Sequence, residues 1–207
     1  MYRCLFIILI VVCGGFCAIN DTDKMVMAAA ESQLPVFLSK IPEGQQVSYG
    51  FKGDDDLDLC TIGKPCRMLF FNNDFYNSPV DENKNYILIK NEWRVPVIVD
   101  SGYRTLLTMA GNPGNYIITA MGDTMLAKEL QQQSTENEND EYYILRIPRL
   151  RADFFVTERN NSFSDAHFTP LLTAVIALPA LSNNSKPSFT LIEVERAVKE
   201  ALGKGKK

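Results

Sequence analysis

The sequence is poor in the residues from which most catalytic machinery is assembled. It holds one histidine, His167, and one tryptophan, Trp93, in 207 residues. A single histidine excludes every mechanism that needs two, and it excludes a histidine-rich metal site. There is no phosphate-cradling glycine loop, no GxGxxG turn and no glycine-flanked serine nucleophile, so no cofactor is implied. Ser162, Ser164 and Asp165 stand close to His167 along the chain. A catalytic triad is a matter of geometry, so that proximity assigns nothing. A mechanism run by carboxylates alone stays open, because 25 acidic residues are available.

An excess of positive charge is also missing. The formal net charge is −4, and no basic residues concentrate on one face, which argues against nucleic acid as a partner. Lys204, Lys206 and Lys207 read as a solvated basic end.

Long apolar runs are scarce. The stretch 171–181 is too short to cross a bilayer. The other run, 5–12, follows Arg3 and leads into the small residues Cys13, Gly14, Gly15, Cys17 and Ala18. One positive charge, a short apolar segment and a small-residue exit form the pattern of a secretory signal peptide over residues 1–17. Two alternatives remain: an uncleaved anchor, which falls short of the roughly 20 apolar residues of a spanning helix, and a lipid on Cys13 or Cys17, where Val12 and Phe16 are bulky neighbours. The protein is expected to be exported, to the periplasm, the cell surface or the medium, with membrane contact only through this segment if it is not removed.

Removal of the leader takes Cys4, Cys13 and Cys17 with it and leaves Cys60 and Cys66. Two cysteines in an exported chain, with Gly63 and Pro65 to turn the backbone between them, predict a Cys60–Cys66 disulfide. A redox role for the pair is the sharper alternative, although thiol–disulfide enzymes typically separate their cysteines by two residues. Just upstream, Asp54, Asp55, Asp56 and Asp58 make an acidic loop. A helix-loop-helix calcium site would need glycine sixth and glutamate twelfth, where this sequence has Leu59 and Pro65. The loop therefore reads as solvated or as a helix start, with no metal.

The clearest architecture lies in 86–131: three antiparallel strands and a helix. Val95, Val97 and Val99 share one strand face. Pro96 cannot donate to a ladder, so its side of that strand should be an edge or a bulge. Ser101-Gly102 suits a two-residue hairpin loop, and Asp123 can cap the following helix. Trp93 and Arg94 are a candidate binding surface, since a strand-borne Trp beside an Arg can hold a sugar or an anion; packing of the indole at the edge of the core is the alternative.

Around this centre the sequence predicts a helix over 23–40, broken near Leu34 by Pro35. A short strand follows at 46–51, and further strands at 67–71, 142–147 and 152–157. The stretch 131–141 lacks apolar residues and reads as a flexible connector between two subdomains. A loop is expected at 158–165 and a buried helix from Pro170. The terminal helix has a capping box in Thr190 and Glu193, a hydrophobic staple in Phe189 and Val194, a Glu195–Lys199 pair, and Gly203 to stop it.

The fold class is thus α+β: an antiparallel sheet of six to eight strands flanked by N-terminal and C-terminal helices, over 18–207. The expected function is a non-catalytic binding or accessory module acting through its sheet surface or an open strand edge on a protein or small-molecule ligand. A secreted hydrolase with a carboxylate site and a thiol–disulfide protein are the alternatives. N-terminal sequencing of secreted material should begin near Ala18; an intact Met1 would rule the cleaved leader out.

Overall fold

A computed structural model describes residues 21–136, 141–159, 162–182 and 186–204. The expected leader and residues 137–140 of the expected connector lie outside these limits, and the sequences Asn160-Asn161-Ser162 and Asn183-Asn184-Ser185, which match the N-glycosylation pattern, lie across or outside them. The strands are β1 (Thr61–Ile62), β2 (Cys66–Phe71), β3 (Ile87–Val99), β4 (Gly102–Asn112), β5 (Asn115–Gly122), β6 (Glu141–Ile147), β7 (Ala152–Arg159) and β8 (Ser162–Pro170). The helices are α1 (Asp21–Leu38), α2 (Asn73–Asn77), α3 (Thr124–Glu136), α4 (Leu172–Ala177), α5 (Pro179–Ser182) and α6 (Leu191–Lys204).

All eight strands join one sheet, ordered β5-β4-β3-β2-β6-β7-β8, with β1 beside β3. The α+β class holds, with helices at both ends of the described chain. Strands β3, β4 and β5 form the expected meander, and α3 then carries the chain back so that β6 lies parallel to β2. The remaining pairings are antiparallel.

Register assigns the faces. Arg67 opposes both Trp93 and Tyr143, and Leu69 opposes Leu145, so these side chains share one face. Over the β3–β5 half of it lies α1, whose Val26, Ala30, Leu34 and Leu38 recur every four residues and are buried against Trp93, Val95, Val97 and Leu107. Over the other half lie α2 and α6, with Phe75, Phe189, Val194 and Val198 packed on Leu145, Phe154 and Phe168. The opposite face carries Met68, Ile144 and Phe155 beneath Leu126, Ala127 and Leu130 of α3.

Several local expectations are corrected. Helix α1 continues through Pro35. Glu31, whose carbonyl loses its donor to the proline, is exposed to water, and buried Leu34 and Leu38 hold the last turn down. Residues Gln46–Tyr49 form a 3-10 turn instead of a strand. The first hairpin loop is Asp100-Ser101, one residue earlier than expected; both have positive φ (48° and 62°), the twist a tight hairpin requires. Helix α3 takes up 131–136, and Gln131 ties it to the hairpin by accepting from Tyr103 N–H and donating to the Ser101 carbonyl. Of the expected loop at 158–165, residues 158–159 belong to β7 and 162–165 to β8, and 160–161 lie outside the described residues. Helix α4 begins at Leu172, not Pro170, and is largely exposed, since only Ala174 within it is buried. Gly203 lies inside α6. One half of the capping box is formed: Thr190 N–H donates to the Glu193 carboxylate at 2.8 Å, and the Thr190 hydroxyl donates to the same oxygen at 3.0 Å.

Both ends of the strand order are covered by the chain itself. Gln33 of α1 donates from Nε2 to the Tyr116 carbonyl at 2.8 Å and accepts from Ile118 N–H at 3.0 Å, so a side-chain amide pairs with the outer edge of β5. At the other end Phe168 and Phe189 exchange two backbone hydrogen bonds of 2.9 Å across β8. Unpaired edges invite association with other chains. Gln33→Ala should therefore cost about 1–3 kcal/mol and increase light scattering on storage, while Gln33→Glu, which keeps the acceptor, should fall between. Denaturant midpoints for all three proteins check this, and an unchanged midpoint for Gln33→Ala would show the edge contact to be idle.

Candidate functional site

Pro96 is the residue from which the site is built. Its nitrogen carries no hydrogen, so at that point β3 cannot complete a ladder pair. The chain facing it breaks into β1 and β2, with Gly63, Lys64 and Pro65 between, and Gly63 N–H donates to the Pro96 carbonyl at 2.8 Å. Gly63 packs closely there: a Cβ would sit 3.2 Å from both the Pro96 and the Ile98 side chains, which would have to give by a few tenths of an ångström.

The segment before β1 is held by one ion pair. Arg104 of β4 donates to Asp55 through two nitrogens, at 2.7 and 3.0 Å, with side chains only 10% and 2% exposed. The guanidinium holds the Asp55 carboxyl below its ordinary range. Asp56 accepts from Asp58 N–H and caps the 3-10 turn Leu57–Leu59. Gly50, at φ 96°, brings the loop against β4, where a Cβ would meet the Arg104 carbonyl at 2.3 Å. The acidic loop is thus an anchor and a helix start. Among the described residues no group of three or more His, Cys, Asp or Glu could hold a metal.

Between this segment and the last turns of α1 lies a cleft of about 510 Å³. Leu34, Pro35 and Leu38 form one wall, and Leu57, Cys60 and Ile62 the other. Its charged lining residues are Glu31 and Asp58, both exposed carboxylates. A second cleft, about 590 Å³ and more polar, runs past Glu82, Glu141, Tyr143 and Glu158. Glu141 and Glu158 are direct cross-strand neighbours there, and Tyr143 donates to Glu141 at 3.0 Å.

The expected disulfide is absent: Cys60 and Cys66 are both free. Cys60 packs on the α1 side of the sheet and Cys66 on the α3 side, where its thiol faces the Tyr142 carbonyl at 3.8 Å. Burial, with help from Asp55 and Asp56, pushes the Cys60 thiol up to about 11, and burial raises Cys66 as well. Neither is a thiolate near neutral pH, so neither is primed as a nucleophile.

Trp93 and Arg94 do not make a common surface. Trp93 is fully buried under α1, edge-on to Tyr116 and beneath Arg67. Arg94 points to the opposite face, where Glu92 stands 3.6 Å away. Nearby, Arg146 holds Asp153 with two hydrogen bonds of 2.8 and 3.0 Å and reaches Asp123 at 3.6 Å. Burial, and then the charge of Arg146, depress the Arg94 guanidinium. Asp123 also caps α3, accepting from Leu126 N–H, and Glu129 accepts from Leu172 N–H at 2.6 Å. These carboxylates brace α3 and α4 on the sheet. His167 is exposed on β8, and β8 is the third strand from β2, which carries Cys66, so the two cannot act as a thiol–imidazole pair.

A carboxyl in the C-terminal helix is strongly perturbed. Glu195 of α6 is 2% exposed, its Oε1 has no hydrogen-bond partner among the described residues, and burial raises it to about 7. Lys199, expected to pair with it, instead donates to the Phe75 and Ser78 carbonyls at the end of α2.

Sequence reasoning missed the cleft-lining Leu34, Leu38, Leu57 and Ile62. No protein-family model, curated protein or solved structure matches the chain.

Asp55 and Glu195 should shape the pH dependence of stability in opposite ways. The Asp55 pair stabilises fully above the unfolded carboxyl value and is lost as pH falls below it through the lowered folded value. Glu195 folds best when neutral, so its contribution is intact below its ordinary 4.5 and is lost as pH rises toward 7. Glu195→Gln should flatten the fall between pH 4.5 and 7 and leave the protein more stable above it, by up to about 3 kcal/mol. Asp55→Asn should weaken it by about 2–3 kcal/mol at pH 7 and much less at pH 3. Urea unfolding across pH 3–8 measures both; parallel profiles for all three proteins would contradict the assignments.

Proposed function

We propose that the protein is a non-catalytic binding module, exported from the cell, that takes a ligand with an apolar body into the cleft between α1 and β1. The observation that carries the reading is the cleft itself: about 510 Å³, walled by leucine, isoleucine and proline, with carboxylates at its rim. That volume lies within the range that ligand sites occupy, and an apolar wall with few polar groups is their usual composition. Export rests on the leader pattern in 1–17.

The catalytic alternatives have less support. Asp153 and Glu129 are engaged by Arg146 and the Leu172 N–H, and Asp55 by Arg104. Glu195, the carboxyl raised to about 7, packs beside the Val194 and Val198 that help build the core. The free thiols lie on opposite faces and above their reactive range.

An environment-sensitive apolar dye, anilinonaphthalene sulfonate, tests the site. It should bind with a 1:1 stoichiometry. Leu57→Trp, which places bulk at the cleft wall, should weaken it at least tenfold while leaving the denaturant midpoint nearly unchanged. Ile176→Lys on the exposed face of α4 should have no effect. Loss of binding in Ile176→Lys with retention in Leu57→Trp would move the binding surface to α4 and end this reading.

A further inference from the structure

Strand β1 leaves one residue of backbone unpaired on its outer side, beside the cleft. Thr61 opposes Ile98, Ile62 opposes Val97, and Gly63 N–H bonds to the Pro96 carbonyl. Hydrogen-bonded and non-hydrogen-bonded positions alternate along an antiparallel pair. The bond at Gly63 therefore makes Ile62 the non-bonded position, and its N–H and C=O point away from β3. Among the described residues no group pairs with them.

The other outer edges of the sheet are closed by the chain: β5 by Gln33 and β8 by Phe189. Beside β1 stand instead the apolar walls of the cleft, with Ile62 itself among its lining residues. An N–H and a C=O on one extended residue match the backbone of another extended residue. A strand laid there would turn the side chain opposite Ile62 to the face Ile62 shares with Val97, toward Leu34 and Leu38. Flanking positions would meet Glu31 and Asp58, the charged residues that line the cleft among the described residues.

We infer that the ligand of this cleft is an extended peptide with an aliphatic centre and Lys or Arg on its flanks, added to β1 as a short extra strand. This rests on the binding reading of the same cleft and gives its ligand a chemical class. Main-chain pairing supplies affinity, and the aliphatic pocket and acidic rim supply selectivity.

The test uses capped pentapeptides Lys-X-X-X-Lys, with X drawn from Val, Ile and Leu, competing against the bound dye. The pool should displace the dye. N-methylation of the central amide of the retained peptides should weaken them at least tenfold. Ile62→Pro removes the outward N–H but no ladder bond, because that N–H faces away from β3. It should weaken the peptides at least tenfold relative to Ile62→Val, which keeps the N–H and should bind peptide nearly as the parent does, with peptide binding to both variants read directly by calorimetry. Glu31→Gln with Asp58→Asn should lower peptide affinity several-fold and flatten its dependence on salt. If the dye binds and the pool does not, the peptide class is wrong and the cleft reading survives. If neither binds, the cleft reading fails too. Equal affinity of the N-methylated peptides, or no loss in Ile62→Pro, would overturn strand addition.

Discussion

A buried backbone donor or acceptor without a partner costs about 1–3 kcal/mol, and this constraint on β3 orders much of the molecule. The strand runs 13 residues and is paired along both sides, by β4 on one and by β1 and β2 on the other. At Pro96 it has no N–H to offer. The neighbouring strand is interrupted there, and the interruption separates a two-residue β1 from β2. The gap, and the loop that Asp55 and Arg104 clamp in front of it, are what leave room for the cleft beneath α1.

Polar groups inside the fold act mainly as fasteners. Asp55–Arg104 fixes a loop to β4, Arg146–Asp153 joins β6 to β7, Asp123 starts α3, and Gln131 ties α3 to the β3–β4 hairpin. Each joins elements whose apolar faces already meet, and each adds direction to packing that lacks it. Glu195 differs, a carboxyl folded in with one oxygen that has no hydrogen-bond partner among the described residues; Trp93 Nε1, Arg94 Nε and Thr105 Oγ1 likewise have none there.

What could be read from the sequence was local. The meander showed through alternation in Val95, Val97 and Val99, the start of α3 through Asp123, and the start of α6 through Thr190 and Glu193. Each signal lies within a few residues of the structure it specifies. The misreadings were of long-range origin. Pro35 looked like a break because burial of Leu34 and Leu38 against the sheet is invisible in the helix's own sequence. The first part of β8, to Asp165, looked like a loop because Ser162, Ser164 and Asp165 are polar and its buried residues, Ala166 and Phe168, come only after it. The stretch 171–178 looked buried because it is apolar, yet Leu172 and Ile176 are exposed. The cysteine spacing fitted a bridge, but the turn at 63–65 sends the two thiols to opposite faces. The cleft left no periodic trace, since its walls come from segments some twenty residues apart that meet only after the sheet has formed.

The parallel pairing of β2 with β6 has a kinetic consequence. Arg67 and Tyr143 stand side by side, and everything from the first hairpin to the end of α3 intervenes. Closing that separation requires the meander and α3 to be in place, or an entropic loss with no local contacts to offset it. During synthesis the first five strands and α1 can assemble while β6, β7 and β8 are still unmade. Until β6 arrives, β2 is an exposed apolar border carrying Met68 and Leu69. The slowest and most aggregation-prone moment in the life of this chain is therefore expected to be the docking of its C-terminal third onto β2.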